Sequence, residues 1–351
     1  MTGTLWWDEL VNSVRFLDNI QNSLKANESV LLLFDADIPW PDILISTIAS
    51  RLDNISDKSF DVLDVSGTDA PGKFLMERYC SKEERNKYWP TTHGSPEKFL
   101  AQNRATPLNK RYVCLTGISP ENASAWTASV SEYLENCDAA LEHGVFILIL
   151  KNTGAAASRQ LKTLQYADYV TDYDCMMLCL TLVSDLSCSR AEKMYLCEVA
   201  SNIAHNHVEL AALLVSEKLG LLREPLAAAE RICRENGIKI TNLQEVVRTA
   251  VWEAQIKLVF PKLENFRSSI IRRYEAKLQQ FLPIRSSNND KIERPADLEI
   301  GQLFYLCKQN RASKITDYAE YEKLHKMRDA RNILAHLETL TYHQLKELDM
   351  I

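Results

Sequence analysis

Hydrophobic positions follow two different rules along the chain. Up to about residue 188 they gather in short, nearly continuous runs at 30–34, 60–65, 112–115, 145–150 and 176–183, the pattern of strands buried on both faces. The intervening segments 41–52, 74–86, 123–136 and 158–166 are long enough for helices. An amphipathic helix is expected over 6–25, with Leu10, Val14, Leu17, Ile20 and Leu24 on one face. Strands alternating with helices predict a mostly parallel sheet covered on both faces, an α/β domain over 1–188.

From Arg190 onward the spacing becomes helical. Met194, Leu196, Val199 and Ile203, then Val208, Leu210, Leu213 and Leu214, predict a small helical region over 189–248. Within it, Asn236-Gly237 marks a stop between two short helices. Residues 249–351 are expected to form an all-α bundle. Its long first helix, 250–281, should kink or split at Pro261. The polar stretch 285–295, with Ser286, Ser287, Asn288, Asn289 and Asp290, is the best candidate for disorder. Helices over 298–308, 321–336 and 341–348 complete the set.

Composition narrows the class. Hydrophobic and charged contents of 46% and 25% suit an ordinary globular protein, and ten glycines are few for 351 residues, which favours helix. No apolar run reaches transmembrane length, and the first residues lack a signal-peptide pattern. The nine cysteines (80, 114, 137, 175, 179, 188, 197, 233 and 307) include no C-x-x-C pair. Buried free thiols in a reducing cytoplasm are expected, rather than disulfides or a zinc site. The net charge is −6, yet from residue 251 onward Lys and Arg outnumber Asp and Glu by three. A mildly basic C-terminal part permits RNA contact.

The α/β part resembles P-loop NTPases of the AAA+ or STAND kind in its five-strand plan, with the helical region at the place of a lid. Such a domain needs G-x-x-x-x-G-K-[ST] after the first strand, so that backbone N–H groups surround the phosphates and Lys neutralises them. Here residues 35–42 read Asp-Ala-Asp-Ile-Pro-Trp-Pro-Asp, without Gly or Lys and with three carboxylates. The third strand should end in acids for Mg²⁺; it ends Cys114-Leu115-Thr116-Gly117. The resemblance therefore implies a degenerate NTPase that does not hydrolyse ATP, with no cofactor or metal site. A doubly wound α/β fold of other ancestry fits the strand pattern equally well. Asp37 is expected to shape a turn, and Trp40 to pack against the sheet edge. The polar segment 82–109 is expected to be a surface insertion. His205 and His207, two apart, fall on opposite sides of a helix or at a helix junction, not on one metal.

The helix over 321–336 concentrates the most chemistry. Leu324, Met327 and Leu334 recur at helical spacing, charges fill most other positions, and its end carries Arg331, Asn332 and His336. Asn332 and His336 are i,i+4 neighbours. RNA brings its own nucleophile, the 2′-OH, so cleavage needs proton transfer near neutral pH and positive charge on the phosphate. Histidine suits the first task and the arginine fork the second. Asn332 could orient the phosphate or the imidazole. The run Arg331-Asn332-Ile333-Leu334-Ala335-His336 resembles the R-x4-6-H motif of HEPN domains, and the resemblance covers 249–351. It implies a helical bundle that pairs as a homodimer and brings two motif copies to one cleft, and metal-independent RNA cleavage of the kind found in defence and toxin systems. Arg331, Asn332 and His336 are then the catalytic candidates. The plainer reading pairs Arg331 with Asp329 or Glu338 and leaves His336 as a helix cap.

Two functions follow. One is an endoribonuclease effector in bacterial anti-phage defence or a toxin, cytoplasmic, regulated through its NTPase-like domain and a defence-system partner. The other is a non-catalytic adaptor that oligomerises through the bundle and binds a protein or nucleic acid through the α/β domain.

Overall fold

Four of the five apolar runs become strands: β1 (Val30–Phe34), β2 (Ser59–Asp64), β3 (Arg111–Thr116) and β4 (Val145–Lys151). The fifth strand, β5 (Lys162–Gln165), comes from a segment expected to be helical. All five are parallel, in the order β2-β3-β4-β1-β5. β1 is buried throughout and β4 up to its last residue, which explains their unbroken apolar sequences. The computed structural model describes residues 2–53, 57–138, 140–151, 158–285, 289–310 and 315–351. The chain divides into two compact units, Met1–Leu178 and Cys179–Ile351.

In the first unit, α1 (Thr2–Asp8) and α2 (Val11–Lys25) precede β1, and α3 (Pro41–Leu52) leads to β2. Four short helices, α4 (Pro71–Tyr79), α5 (Lys82–Arg85), α6 (Pro90–His93) and α7 (Pro96–Gln102), lie between β2 and β3. α8 (Ala123–Asn136) joins β3 to β4, and α9 (Asp172–Leu182) follows β5. Three expectations need correction here. The helix over 6–25 is two helices, because Leu10 takes an extended backbone; the turn lets both Trp6 and Trp7 reach full burial. The segment 82–109 is no surface insertion, since Phe99, Leu100 and Leu108 belong to the core. Its helices are too short to show a period.

The third correction concerns the end of the sheet. Run 176–183 belongs to α9: burial falls on Asp174, Cys175, Leu178, Cys179 and Val183, while Met177 and Leu182 are exposed. A continuous apolar run does not by itself separate a buried strand from a helix. β5 instead pairs with β1 at the sheet edge and buries only Leu164.

The second unit is helical: α10 (Arg190–Ala204), α11 (Val208–Ser216), α12 (Leu219–Arg223), α13 (Pro225–Glu235), α14 (Leu243–Leu258) and α15 (Phe260–Gln279), then α16 (Ile300–Gln309), α17 (Tyr318–Ala335) and α18 (Tyr342–Glu347). Pro261 sits in the first turn of α15, so the long pattern splits there as expected. Gly237 ends α13 at φ +66°, and the Ile238 N–H closes on the Cys233 carbonyl at 2.9 Å. Within 285–295 a two-residue ribbon forms, β6 (Ile284–Arg285) against β7 (Lys291–Ile292), where disorder is expected; residues 286–288 lie outside the described residues. His205 ends α10 and His207 caps α11, its Nδ1 accepting the Leu210 N–H, so the two histidines mark a helix junction. Among the described residues no disulfide forms; Cys137 and Cys188 are half-buried and the other seven cysteines are buried. Among the described residues no helix is long and apolar enough to cross a membrane.

Candidate functional site

α17 begins at Asp317, whose carboxylate accepts the Glu320 N–H at 2.7 Å. Tyr321, Leu324, Met327, Ala330 and Leu334 are buried along one side and hold it in the bundle. Glu320 ties the helix to α15 by accepting from both Arg273 and Tyr274. At the other end the chain closes firmly. The His336 N–H reaches the carbonyls of Asn332 (3.1 Å) and Ile333 (3.2 Å), and the Glu338 N–H returns to Ile333 at 3.1 Å. Leu337 takes the left-handed conformation this closure requires, φ +61°.

α14 supplies what the helix end lacks. The last carbonyls of a helix have no partner within it. Here Trp252 Nε1 donates to the Leu334 carbonyl at 2.8 Å, and Arg248 donates to that of Leu337 at 2.9 Å. Deeper in, the buried Gln255 amide takes both backbone groups of Leu340, each at 2.8 Å, and donates to the Tyr195 hydroxyl. On the far side of the turn, Tyr342 and Lys346 of α18 bond Glu192 of α10 at 2.5 and 3.2 Å. The turn that carries His336 is thus fixed from both flanks.

On this frame the three candidates are accessible. Asn332 and His336 are exposed, and Arg331 is partly so. The Arg331 guanidinium lies 3.7 Å from the Glu299 carboxylate, with 36% and 71% of the two side chains exposed; so exposed a pair contributes little stability. Its partner is therefore neither Asp329 nor Glu338. Asp329 is held by Arg328 at 2.5 Å and stands 3.3 Å from His325. His336 does form the C-cap of α17, through its backbone, which leaves the imidazole to solvent. Asn332 and His336 share a stripe, whereas Arg331 and His336, five residues apart, are turned about 140° from each other. Asn332 and His336 thus lie on one face of α17, and Arg331 stands apart from them. A cleft of about 740 Å³ lies at the opposite end of the helix, lined by Tyr274, Cys307, Thr316, Tyr318 and Tyr321 among others, and takes in none of the three.

Sequence reading passed over the groups next to the motif. His325 stacks on Phe304 with centroids 5.0 Å apart, and the Arg328 guanidinium lies 4.0 Å from the same ring's centre. The i,i+4 spacing of His325 and Asp329 was the available signal. The roles of Trp252 and Gln255, 82 and 85 residues from their partners, left none.

In the first unit, the segment after β1 is filled by packing. Trp40 starts α3 in a left-handed conformation and faces Trp6 at 6.5 Å, while Trp7 Nε1 donates to the Pro39 carbonyl at 2.9 Å. Trp40 therefore packs on the N-terminal helix rather than on the sheet edge. Asp37 pairs with Lys151 at the end of β4. Within β3, Cys114 is fully buried, and burial pushes its thiol up to about 12. Among the described residues no three His, Cys, Asp or Glu side chains gather as a metal site. No protein-family model matches the chain, and no curated protein is significantly similar to it.

Proposed function

We propose that the chain is a metal-independent HEPN-type endoribonuclease effector, cytoplasmic, acting in bacterial anti-phage defence or as a toxin. The observation that carries this reading is the end of α17: Asn332 and His336 stand exposed on one stripe, beside Arg331, on a turn fixed by Trp252, Arg248 and Gln255. None of the three side chains serves the core. A helix end held so firmly while presenting amide and imidazole to solvent suits positioning of a phosphodiester. The chemistry asks only for proton transfer and a cation, since the nucleophile is the RNA's own 2′-OH.

The α/β unit is then a degenerate relative of the AAA+ kind of NTPase, acting as the regulatory part and meeting a defence-system partner. Its strand order, with β4 between β1 and β3, supports that reading, as does the tryptophan packing where a phosphate loop would run. That same packing also favours the second reading, an adaptor that uses the bundle to form a homodimer and the α/β unit to bind a partner.

RNA end-group analysis separates the two. Purified protein in EDTA should leave 2′,3′-cyclic phosphate and 5′-hydroxyl ends. A folded His336→Ala protein that cuts as well as wild type rules out the ribonuclease reading.

A further inference from the structure

The cleft at the start of α17 is walled by α15, α16 and the turn into α17. Its volume of about 740 Å³ is that of a ligand site. The buried part of its lining, Ile315 and Cys307, is apolar, and Tyr274, Tyr318 and Tyr321 bring three phenol rings to it. Tyr321 is backed by Phe304, with ring centroids 5.4 Å apart and planes nearly parallel. Tyr318 leaves 75% of its surface in water, although a ring of that size normally packs. The exposed Lys277 sets its ammonium 5.6 Å from the centre of the Tyr274 ring, and Arg273 is its i,i+4 neighbour. The carboxylates nearby are already engaged. Asp317 caps α17 by accepting the Glu320 N–H, and Glu320 accepts from both Arg273 and Tyr274. An exposed ring near an exposed cation, with the acids engaged, fits a planar base joined to a phosphate. A neutral or cationic peptide would gain nothing from Lys277.

We infer that this cleft holds a base of single-stranded RNA, with the ring of Tyr318 stacked on the base and Lys277 meeting the phosphate beside it. The choice of RNA rests on the ribonuclease reading; the site itself is separate from the motif. Tyr318 and His336 are 18 residues apart. That is five full turns of helix, so both face one side of α17, about 27 Å apart along its axis. One strand laid along that side reaches both, with a footprint of about 4 nucleotides or more, as single-strand grooves commonly have. The cleft then selects the substrate class. Bases inside a duplex are stacked on each other and cannot turn onto a tyrosine, whereas those of an unpaired strand can.

Binding can be measured apart from cleavage. 2′-O-methyl RNA keeps bases and phosphates but lacks the attacking hydroxyl, so wild type binds it without cutting it. A fluorescent single strand of about 12 such nucleotides is titrated with wild type, Tyr318→Ala, Tyr318→Phe and Lys277→Ala. Tyr318→Ala should weaken binding about tenfold, the usual loss of one stacked base, and Tyr318→Phe should bind as wild type does. Lys277→Ala should lower the slope of log affinity against log salt by about 0.7, the value for one phosphate contact on a single strand. Both side chains are exposed, so the variants should melt as wild type does. The same strand annealed to its complement should bind at least about tenfold more weakly. A wild type that does not bind the strand, a Tyr318→Ala protein that binds it equally well, or an unchanged salt slope for Lys277→Ala overturns the proposal. Cleavage by His336→Ala is scored in its own assay. A cleft that fails here therefore leaves the ribonuclease reading standing, and a protein that binds here yet cuts no RNA leaves the cleft standing.

Discussion

Leu337 is the residue where the helix end carries strain. Its φ of +61° sets a Cβ in the left-handed region, at about 1 kcal/mol for a non-glycine residue, and its side chain is 54% exposed and packs little in return. Leu337→Gly should therefore raise stability by about 1 kcal/mol in denaturant titration. A loss would mean that the leucine side chain holds the turn. Glu192 is the converse case. Burial alone would raise its carboxyl, yet hydrogen bonds from Tyr342, the Ser189 backbone, Lys346 and the Ser189 hydroxyl outweigh that and hold it at about 2. A carboxyl lowered in the folded state stabilises it above the ordinary carboxylate range, and that contribution is lost as pH falls from about 4.5 towards 2. Thermal melts from about pH 5 to pH 3 should fall more steeply for wild type than for Glu192→Gln. Parallel curves would show that the carboxylate does not tie α18 to α10.

At the scale of elements, α14 holds the C-terminal end of α17 and the turn that follows it. Gln255 is fully buried and satisfies the backbone of Leu340 and the Tyr195 hydroxyl together. Gln255→Leu keeps the bulk and strands those groups, so it should destabilise by about 3 kcal/mol. It should also slow RNA cleavage, although Gln255 touches no substrate. Full activity after that loss would separate the turn from the site. The elements also show what periodicity carries. β1 and β4 were legible because each is buried on both faces, and α8 matched its expected bounds. β5 was not, because an edge strand of Lys-Thr-Leu-Gln is recruited by the open backbone of β1 and not by its own side chains. α9 was misread because its eight-residue apolar run hides a helical burial pattern, and Asp172 and Asp174 in its first turn were the overlooked start signal.

For the whole molecule, the order of an α/β part followed by a helical part was readable from the change in hydrophobic spacing near Arg190. The candidate site was readable only as a local motif. Arg331, Asn332 and His336 lie within one six-residue run of the sequence, whereas the groups that fix their turn come from α14. In the proposed function, the exposed end of α17 is a proton-transfer site acting on RNA. Its most direct measurement is the single-turnover cleavage rate of RNA in EDTA for wild type and for a His336→Ala protein with an unchanged melting temperature. A loss of about 100-fold or more is predicted, the usual contribution of a positioned general acid or base. Equal rates, or no cleavage by wild type of any RNA offered, would contradict it.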